Sequence, residues 1–412
     1  MIKTPISTET SVSEFWIRAE QSRNQDPFSK MELEGEFFNF IKVWILIFLS
    51  LSYCYSIGKI IPKGSTRLFF LLPIICLFVL LPLNLHSIHL GGMTGFFISW
   101  LANFKLLLYA FGLGPLSSHP SISLIRFLLL ACFPIKIQQN PSQKSHLYPQ
   151  NEENSSQKSH PNGKNEETPS QNSQNKKYPI PQKCQKSYFP NYTVIKFILL
   201  FILIRVYNYR EFIHPKAILV LYSLHMYIFL ELGLAILAVL ARAVMGFELE
   251  PQFNEPYRSA SLQDFWGRRW NIMVTSILRP TVYEPLLRIV SPAIGRRWAP
   301  LPALMGTFVV SAIMHELIFY YLGRVKPTWE ISFFFLLHGV CLVVEVALKK
   351  VVNGRWWFPV WITAPLTIGF VLVTCFWMFF PTFLRCKADL RALDEYVAVA
   401  AFVKKWWSNG VN

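Results

Sequence analysis

The chain has 412 residues, of which 52% are hydrophobic and 16% aromatic, and its formal net charge at pH 7 is +16. It is too apolar for a soluble globular protein, and the apolar residues are gathered into long runs. The basic residues form no dense patch, which argues against a nucleic-acid partner and favours anionic lipid surfaces or an anionic soluble cosubstrate. Seven cysteines without a CxxC pair indicate neither a disulfide framework nor a zinc site. We predict an all-α, polytopic membrane helical bundle.

Segments of four different compositions follow one another along the chain. Residues 1–40 form a polar tail without an apolar signal sequence, and Met31 is a candidate second start of translation. The first membrane helices are predicted in residues 41–137. Residues 138–187 are dominated by Pro, Ser, Gln, Asn, Lys and Glu, which predicts a disordered low-complexity insert. Residues 188–412 are predicted to form the membrane core that carries the chemistry.

About eight or nine membrane spans are predicted. Their bounds are 41–57, 68–83, 95–111, 122–133, 193–206, 217–245, 301–322, 331–348 and 358–380. The fourth is short enough to be interfacial or re-entrant. Basic residues without acids in the loop 59–67, and again at 349–355, place these loops and the polar module 246–300 in the cytosol. The basic residues after Pro381 fit this alternation poorly.

A stretch rich in Trp, Arg and Asn, residues 261–278, stands between long apolar segments. Its apolar residues recur at helical spacing: Leu262, Phe265, Trp266, Trp270, Met273 and Ile277. Its polar residues fall on the opposite face: Asp264, Arg268, Asn271 and Thr275. Ser261 followed by Asp264 is an N-capping signal, and Pro280 is expected to stop the run. We predict one amphipathic helix, in the interface or against a bundle, with Asn271 in the middle of its polar face.

The apolar segment 301–322 contains His315-Glu316. Ionisable groups at membrane depth are functional hypotheses by default, and an imidazole that titrates near neutrality is a candidate general base. An HExxH zinc site is excluded because Phe319 stands where the second histidine is required. The sequence contains no GxSxG elbow and no P-loop, so direct transfer assisted by a base is simpler than a covalent intermediate.

Each of these residues also has a structural interpretation. A single intramembrane histidine is often a hydrogen bonder in helix packing, and His225, His338 and Glu345 are interpreted in that way. Asn271 alone is more simply a satisfied polar group, and the tryptophans of its segment are typical of an aromatic belt. The residues alone therefore leave open a membrane enzyme or a transporter in which the His-Glu pair gates a proton. No internal repeat supports the transporter.

Two sequence strings together resemble the signature of the membrane-bound O-acyltransferase superfamily. They are Phe265-Trp266-x-Arg268-x-Trp270-Asn271 and Ser311-Ala312-x-x-His315-Glu316. Within that superfamily the chain is most similar to the plant wax synthase group, a likeness that includes residues 279–285 and the opening span at 41–51. The resemblance covers about residues 31–137 and 188–405. Either string alone is weak evidence for the superfamily, whereas the pair of strings is specific to it.

The resemblance implies a helical bundle around a central chamber that transfers a fatty acyl group from acyl-CoA to a long-chain alcohol, forming wax esters. It implies that His315 is the general base and that Asn271 orients its partner or hydrogen-bonds the developing oxyanion. It implies acyl-CoA contacts for four residues: Trp266, Arg268, Arg269 and Trp270. Acyl-CoA is a cosubstrate, no cofactor is expected, and the expected location is the endoplasmic reticulum. A sterol or glyceride acceptor stays open.

Overall fold

The structure is a computed structural model, and it describes residues 33–117, 122–133, 189–245, 252–352 and 359–410. Every regular element in these ranges is a helix, which confirms the all-α prediction. The predicted polar tail up to residue 32, the candidate start Met31 and the whole low-complexity insert lie outside the described residues. The predictions for those segments therefore stay predictions.

Twelve helices are numbered here in chain order. They are α1 (Leu33–Ile60), α2 (Ser65–Leu80), α3 (Ile88–Ala110), α4 (Leu124–Cys132), α5 (Phe189–Val206), α6 (Pro215–Met245), α7 (Ile272–Leu278), α8 (Glu284–Trp298), α9 (Pro300–Gly323), α10 (Glu330–Val351), α11 (Val360–Arg385) and α12 (Ala388–Gly410). Helix α3 contains a π-helical stretch, Gly95–Ala102, and α11 contains another, Cys375–Phe379.

Seven helical segments among the described residues are long and apolar enough to cross a membrane. They are Gly35–Ile60, Ser65–Asn84, Ile88–Ala110, Pro215–Leu237, Pro300–Gly323, Glu330–Val351 and Val360–Arg385. The two predicted spans missing from this set correspond to α4 and α5. Helix α4 has nine residues, about 14 Å at 1.5 Å per residue, and so falls short of a bilayer of about 30 Å. This agrees with the expectation of a segment that does not cross.

The first helix begins at Leu33, earlier than the predicted span at 41–57. Its early acid Glu36 is buried, and the side chain accepts hydrogen bonds from the backbone N–H groups of His86 and Ser87, both at 2.7 Å. The acid therefore stabilises the turn before α3, and the helix extends past the apolar run that marks the span.

Arginines tie together the turns at one end of the bundle. Arg324, just after α9, donates to the carbonyl groups of Leu83 and Leu85 at 2.8 and 3.0 Å. Arg391 donates to the carbonyl groups of Leu322 and His86. The C-terminal ends of α2 and α9 thus share one end of the bundle. The loop at 61–64 and the start of α9 lie at the other end, as the charge pattern predicts.

Helices α9 and α10 pack against each other along their length. Gly339 of α10 makes the close approach possible, because a Cβ at that position would come within 2.8 Å of the Phe308 Cβ. Small residues commonly allow such contacts between membrane helices. This pair of helices carries the candidate base His315 and the Phe335 ring that stacks on it.

Candidate active site

The stretch 261–278 is not the single helix that its periodicity predicts. Its first part is a short turn, Leu262–Asp264, followed by a π-helical turn, Phe265–Arg269. Trp270 is then extended (φ −96°, ψ 121°), and Asn271 adopts the left-handed conformation (φ 43°, ψ 64°) before α7 begins. The predicted N-cap is confirmed, because Ser261 Oγ accepts a hydrogen bond from the Asp264 N–H at 3.2 Å.

Residues 252–254 supply hydrogen-bond partners where the helix is interrupted at Trp270 and Asn271. The backbone carbonyl oxygen of Gln252 accepts a hydrogen bond from the Ile272 N–H at 2.9 Å. The side-chain oxygen of Gln252 accepts a second one from the Met273 N–H at 3.1 Å. The Asn254 N–H donates to the Arg269 carbonyl group at 2.9 Å. These contacts replace helical hydrogen bonds, and asparagine tolerates the left-handed conformation better than most residues. Long-range pairing therefore overrides the local helical pattern.

Pro280 does not end the run, contrary to the prediction. The chain continues through a π-helical turn, Arg279–Tyr283, into α8. Pro280 stands in the first positions of that turn. The proline cannot donate the backbone hydrogen bond of a continuous helix, and it coincides with the π-helical turn that interrupts the regular pattern.

Asn271 stands at the N-cap position of α7, but its side chain makes no capping hydrogen bond. Its carbonyl group accepts the N–H of Val274 at 3.0 Å. Within the described residues no hydrogen bond to the side-chain amide is found, and the residue is half-buried. The amide group is therefore available to a ligand, at a helix junction rather than in the middle of a polar face.

His315 lies on α9 with one ring nitrogen engaged and the other free. Its Nδ1 lies 2.7 Å from the carbonyl oxygen of Ser311, so Nδ1 carries the proton and donates. The ring stacks on Phe335 at 4.0 Å between centroids, and the Trp100 ring lies perpendicular to it at 5.1 Å. Nε2 has no protein partner in the described part of the chain. It keeps a lone pair that can accept a proton.

Other histidines inside the described bundle use both ring nitrogens. His338 is fully buried, accepts from Trp266 Nε1 on Nδ1 at 3.1 Å and places Nε2 2.8 Å from Thr374 Oγ1. His225 and His89 each engage both nitrogens with tyrosine or glutamate side chains. These contacts support the structural interpretation of His225 and His338 and distinguish the candidate base from them.

The two halves of the signature are brought together through α10. Trp266 packs against Phe335 at 5.8 Å, and Phe335 in turn stacks on His315. The carbonyl oxygen of Trp266 accepts a hydrogen bond from Thr275 Oγ1 at 3.1 Å, which links the two sides of the break. Asn271 and His315 are not joined by a hydrogen bond in the described structure. A role of Asn271 toward substrate is therefore easier to accommodate than direct orientation of the imidazole.

The four residues predicted to contact acyl-CoA differ in their surroundings. Arg269 forms an ion pair with Asp264 at 2.6 Å and also donates to the Asn254 carbonyl group at 3.2 Å, so it holds the module together. Arg268 is exposed, and the described residues offer it no partner. Trp270 stacks on Phe265 at 5.5 Å, and Trp266 is hydrogen-bonded to His338 as described above. Arg268 is therefore the charged member of this group whose side chain has no partner in the described structure.

Glu316 points away from the imidazole that precedes it. It is buried, and its Oε1 accepts hydrogen bonds from both the N–H and the Oγ of Ser332, each at 3.1 Å, in the first turn of α10. The described structure contains no contact between this carboxylate and the His315 ring. The transporter hypothesis needs these two groups to exchange a proton, and this geometry does not support it.

Sequence reasoning missed the contribution of α10. Glu345, interpreted as a packing group, accepts the Leu262 N–H at 2.9 Å, and Lys349 donates to Ser261 Oγ at 3.3 Å. The α10 residues in contact with the site recur three to seven positions apart: Ser332, Phe335, His338, Glu345 and Lys349. This spacing places them on one side of the helix and was the available signal. No metal-binding group of His, Cys, Asp or Glu occurs among the described residues.

Comparisons with known proteins identify the family of the chain. The model of the "Membrane bound O-acyl transferase family" matches residues 249–337, which include both Asn271 and His315. Acyl-CoA–sterol O-acyltransferase 1 of Arabidopsis thaliana is 46% identical over 366 residues, covering 88% of this chain and 96% of that protein. The long-chain-alcohol O-fatty-acyltransferase of Simmondsia chinensis is 41% identical over 376 residues, covering 91% and 98%. A probable long-chain-alcohol O-fatty-acyltransferase of A. thaliana, number 3, is also 41% identical, covering 90% and 97%. The chain belongs to the membrane bound O-acyl transferase family and is a multi-pass membrane acyltransferase that joins an acyl donor to a lipid acceptor.

Proposed function

We propose that this protein transfers a fatty acyl group from acyl-CoA to the hydroxyl group of a long-chain alcohol, forming a wax ester. The observation that carries the proposal is the free Nε2 of His315, presented on a ring that Ser311, Phe335 and Trp100 hold in place. The residue lies about 21 Å along α9 from Leu301, at 1.5 Å per residue, where a lipid hydroxyl arrives from the bilayer. The relatives named as long-chain-alcohol acyltransferases support this acceptor.

In the proposed reaction His315 Nε2 takes the proton of the alcohol as the oxygen attacks the thioester carbonyl carbon. A base positioned in this way contributes roughly 10²–10⁴ in rate. The new C–O bond forms a tetrahedral oxyanion, which collapses as the C–S bond breaks. The imidazolium then returns the proton to the leaving thiolate, so the ester and free CoA leave and the enzyme is unchanged.

Asn271 is proposed to stabilise the oxyanion through its side-chain N–H. Two observations support this: the amide has no protein hydrogen bond in the described structure, and the left-handed backbone fixes its position at a helix junction. Removing one such donor from an acyl-transfer enzyme costs roughly 3–4 kcal/mol of transition-state stabilisation.

Arg268 is proposed to bind the phosphate groups of acyl-CoA. Its guanidinium group is exposed and free, and guanidinium groups bind phosphate with two parallel hydrogen bonds. Arg269 and the tryptophans Trp266 and Trp270 are proposed to support this surface, with Trp266 and Trp270 packing near the donor. Since acyl-CoA is made in the cytosol, this end of the bundle is proposed to face the cytosol. The membrane is proposed to be that of the endoplasmic reticulum.

A sterol is the second candidate acceptor. It is favoured by the 46% identity to a sterol acyltransferase, against 41% for the long-chain-alcohol enzyme of Simmondsia chinensis. Both acceptors present one hydroxyl group on a large apolar body, so the proposed chemistry at His315 is the same for either. They differ in the shape of the apolar body.

Acceptor competition tests the proposal. Membranes from cells that express the chain, in a host without its own neutral-lipid esterification, are incubated with radiolabelled acyl-CoA and equimolar hexadecanol and sterol. Labelled wax ester is expected as the main product. Sterol ester as the main product would establish the second candidate, and the absence of both esters from membranes that contain the protein would reject the proposed activity.

A further inference from the structure

Trp100 places an indole against the candidate base from a helix outside the signature. It lies in the π-helical stretch Gly95–Ala102 of α3 and is 1% exposed. Its ring stands perpendicular to the His315 ring, with centroids 5.1 Å apart. Short π-helical stretches inside α-helices occur frequently at functional sites. Helix α3 therefore forms one wall of the site.

The surroundings of Trp100 are apolar. It packs with the buried residues Leu278 and Met314, and the Phe96 ring lies 5.6 Å away. Its Nε1–H is completely buried, and no hydrogen-bond acceptor is found for it among the described residues. An unpaired buried donor lowers stability, and native proteins rarely keep one without a reason. A phenylalanine would fill this slot without that cost.

The proposed reaction needs a hydrogen-bond donor close to the base. An indole N–H donates and cannot accept, so it cannot compete with His315 for the proton of the alcohol. The polar backbone atom beside the imidazole, the Ser311 carbonyl group, is already used by Nδ1, and Phe335 on the other face offers no polar atom. The negative charge that develops on the carbonyl oxygen of the acyl group requires N–H donors aimed at it.

We propose that Trp100 is a further catalytic residue, whose Nε1–H donates a hydrogen bond to the oxyanion together with Asn271. The inference rests on the proposed role of His315. The proton stays on the indole nitrogen throughout, so the bonds that form and break are those already given. The N–H that is unpaired in the resting protein gains its acceptor in the transition state.

Trp100→Phe removes the N–H and keeps an aromatic ring in the slot. We expect kcat to fall at least about tenfold, since loss of one oxyanion donor costs about 10²–10³ in other enzymes, while KM for both substrates changes less than about twofold. The matched control is Trp44→Phe, because the Nε1–H of Trp44 on α1 already has an acceptor, Thr94 Oγ1, at 3.2 Å. The control is expected to keep its kcat.

A wild-type kcat in Trp100→Phe, or a defect confined to KM, overturns the inference. If this variant fails to accumulate, 3-benzothienylalanine is introduced at position 100 instead. Its side chain has nearly the shape of tryptophan but carries sulfur in place of the N–H. Loss of kcat then supports the inference and retention of kcat overturns it. His315→Ala is measured in the same series: an active His315→Ala rejects the proposed function, whereas an inactive one beside a fully active Trp100→Phe rejects only the role of Trp100.

Discussion

Three residues surround the imidazole of His315, and its Nε2 has no protein partner in the described structure. The Ser311 carbonyl group fixes the tautomer, Phe335 covers one face and Trp100 stands across from the ring. His338, only one helix away, has both nitrogens occupied. The proposed base therefore differs from the structural histidines in having a ring nitrogen without a protein partner in the described structure.

Three substitutions of Asn271 distinguish the effect of its backbone conformation from that of its side-chain amide. Asn271→Gly accepts the left-handed conformation and removes only the amide, so we expect kcat to fall about 10²-fold without loss of protein. Asn271→Asp keeps the size and the tolerated conformation but replaces the donor by a negative charge, and should be inactive. Asn271→Ala adds backbone strain of about 1–2 kcal/mol and should also accumulate less. Turnover per molecule, normalised by immunoblot, is the measurement.

An active Asn271→Asp enzyme would contradict the donor role. Retained activity would indicate that the side chain only accepts a hydrogen bond. If Asp, Gly and Ala all reduce the amount of protein but not turnover per molecule, Asn271 is structural.

The two adjacent arginines should respond differently to truncation. Arg268→Ala is expected to raise KM for acyl-CoA several-fold with little change in protein level, because the exposed guanidinium group has no partner in the described structure. Arg269→Ala removes the partner of Asp264 and two carbonyl contacts, so it should reduce thermal stability in detergent. Equal KM effects in both variants, or none in Arg268→Ala, would contradict this division of roles.

Residue type and depth in an apolar segment made His315 a candidate base, and the paired signature made Asn271 its candidate partner; both roles stay proposals. The left-handed backbone at Asn271 was not predicted, because it depends on the pairing of its neighbours with Gln252 and Asn254, earlier in the chain. Local periodicity does not report such long-range pairing.

Helix α10 is the element that joins the base to the module. Its first turn is held by Glu316 through Ser332, and Phe335, one turn later, lies on the His315 ring. Further along, His338 and Glu345 hydrogen-bond Trp266 and Leu262 of the module 246–300. A shift of α10 would therefore move both parts of the site.

Glu316→Gln and Glu316→Leu test this coupling. The amide oxygen of Gln can still accept from Ser332, so we expect kcat within about threefold of wild type, whereas Leu should lower kcat by about 10²-fold through misplacement of the base. A double variant with Phe335→Leu should be no worse than the more damaging single one. If Glu316→Gln lowers kcat as much as Glu316→Leu does, the charge of Glu316 itself takes part. Thr367→Val, a buried hydroxyl bonded within α11, is the control and should be unchanged.

Most spans of the fold were predictable because about twenty apolar residues in a row have few alternatives to crossing a bilayer. The basic residues after Pro381 fitted the charge rule poorly, and their contacts explain why. Arg385 pairs with Glu330, and Arg391 donates to backbone carbonyl groups. These two arginines are paired with groups of the protein, whereas the charge rule concerns basic residues left unpaired in loops.

At the scale of the whole molecule, the loop at 61–64 and the module share one end of the bundle, as the first basic loop and the loop at 349–355 predict. We expect this end to face the cytosol. A cysteine introduced by Arg258→Cys, at an exposed site, should react with an impermeant maleimide on sealed microsomes, with the unsubstituted chain as control. Labelling that requires detergent would place the module in the lumen and contradict acyl-CoA entry from the cytosol.

We propose that His315 is the base of the acyl transfer. This proposal is tested most directly by ester formation from radiolabelled acyl-CoA and hexadecanol in membranes that contain equal amounts of wild type, His315→Ala and His214→Ala. The ring of His214 is exposed, lies outside the site and accepts a hydrogen bond from the nearby Lys216 N–H, so that variant should keep wild-type activity. We predict a loss of roughly 10²–10⁴-fold in His315→Ala alone. Transfer within a few-fold of wild type in His315→Ala would contradict the account.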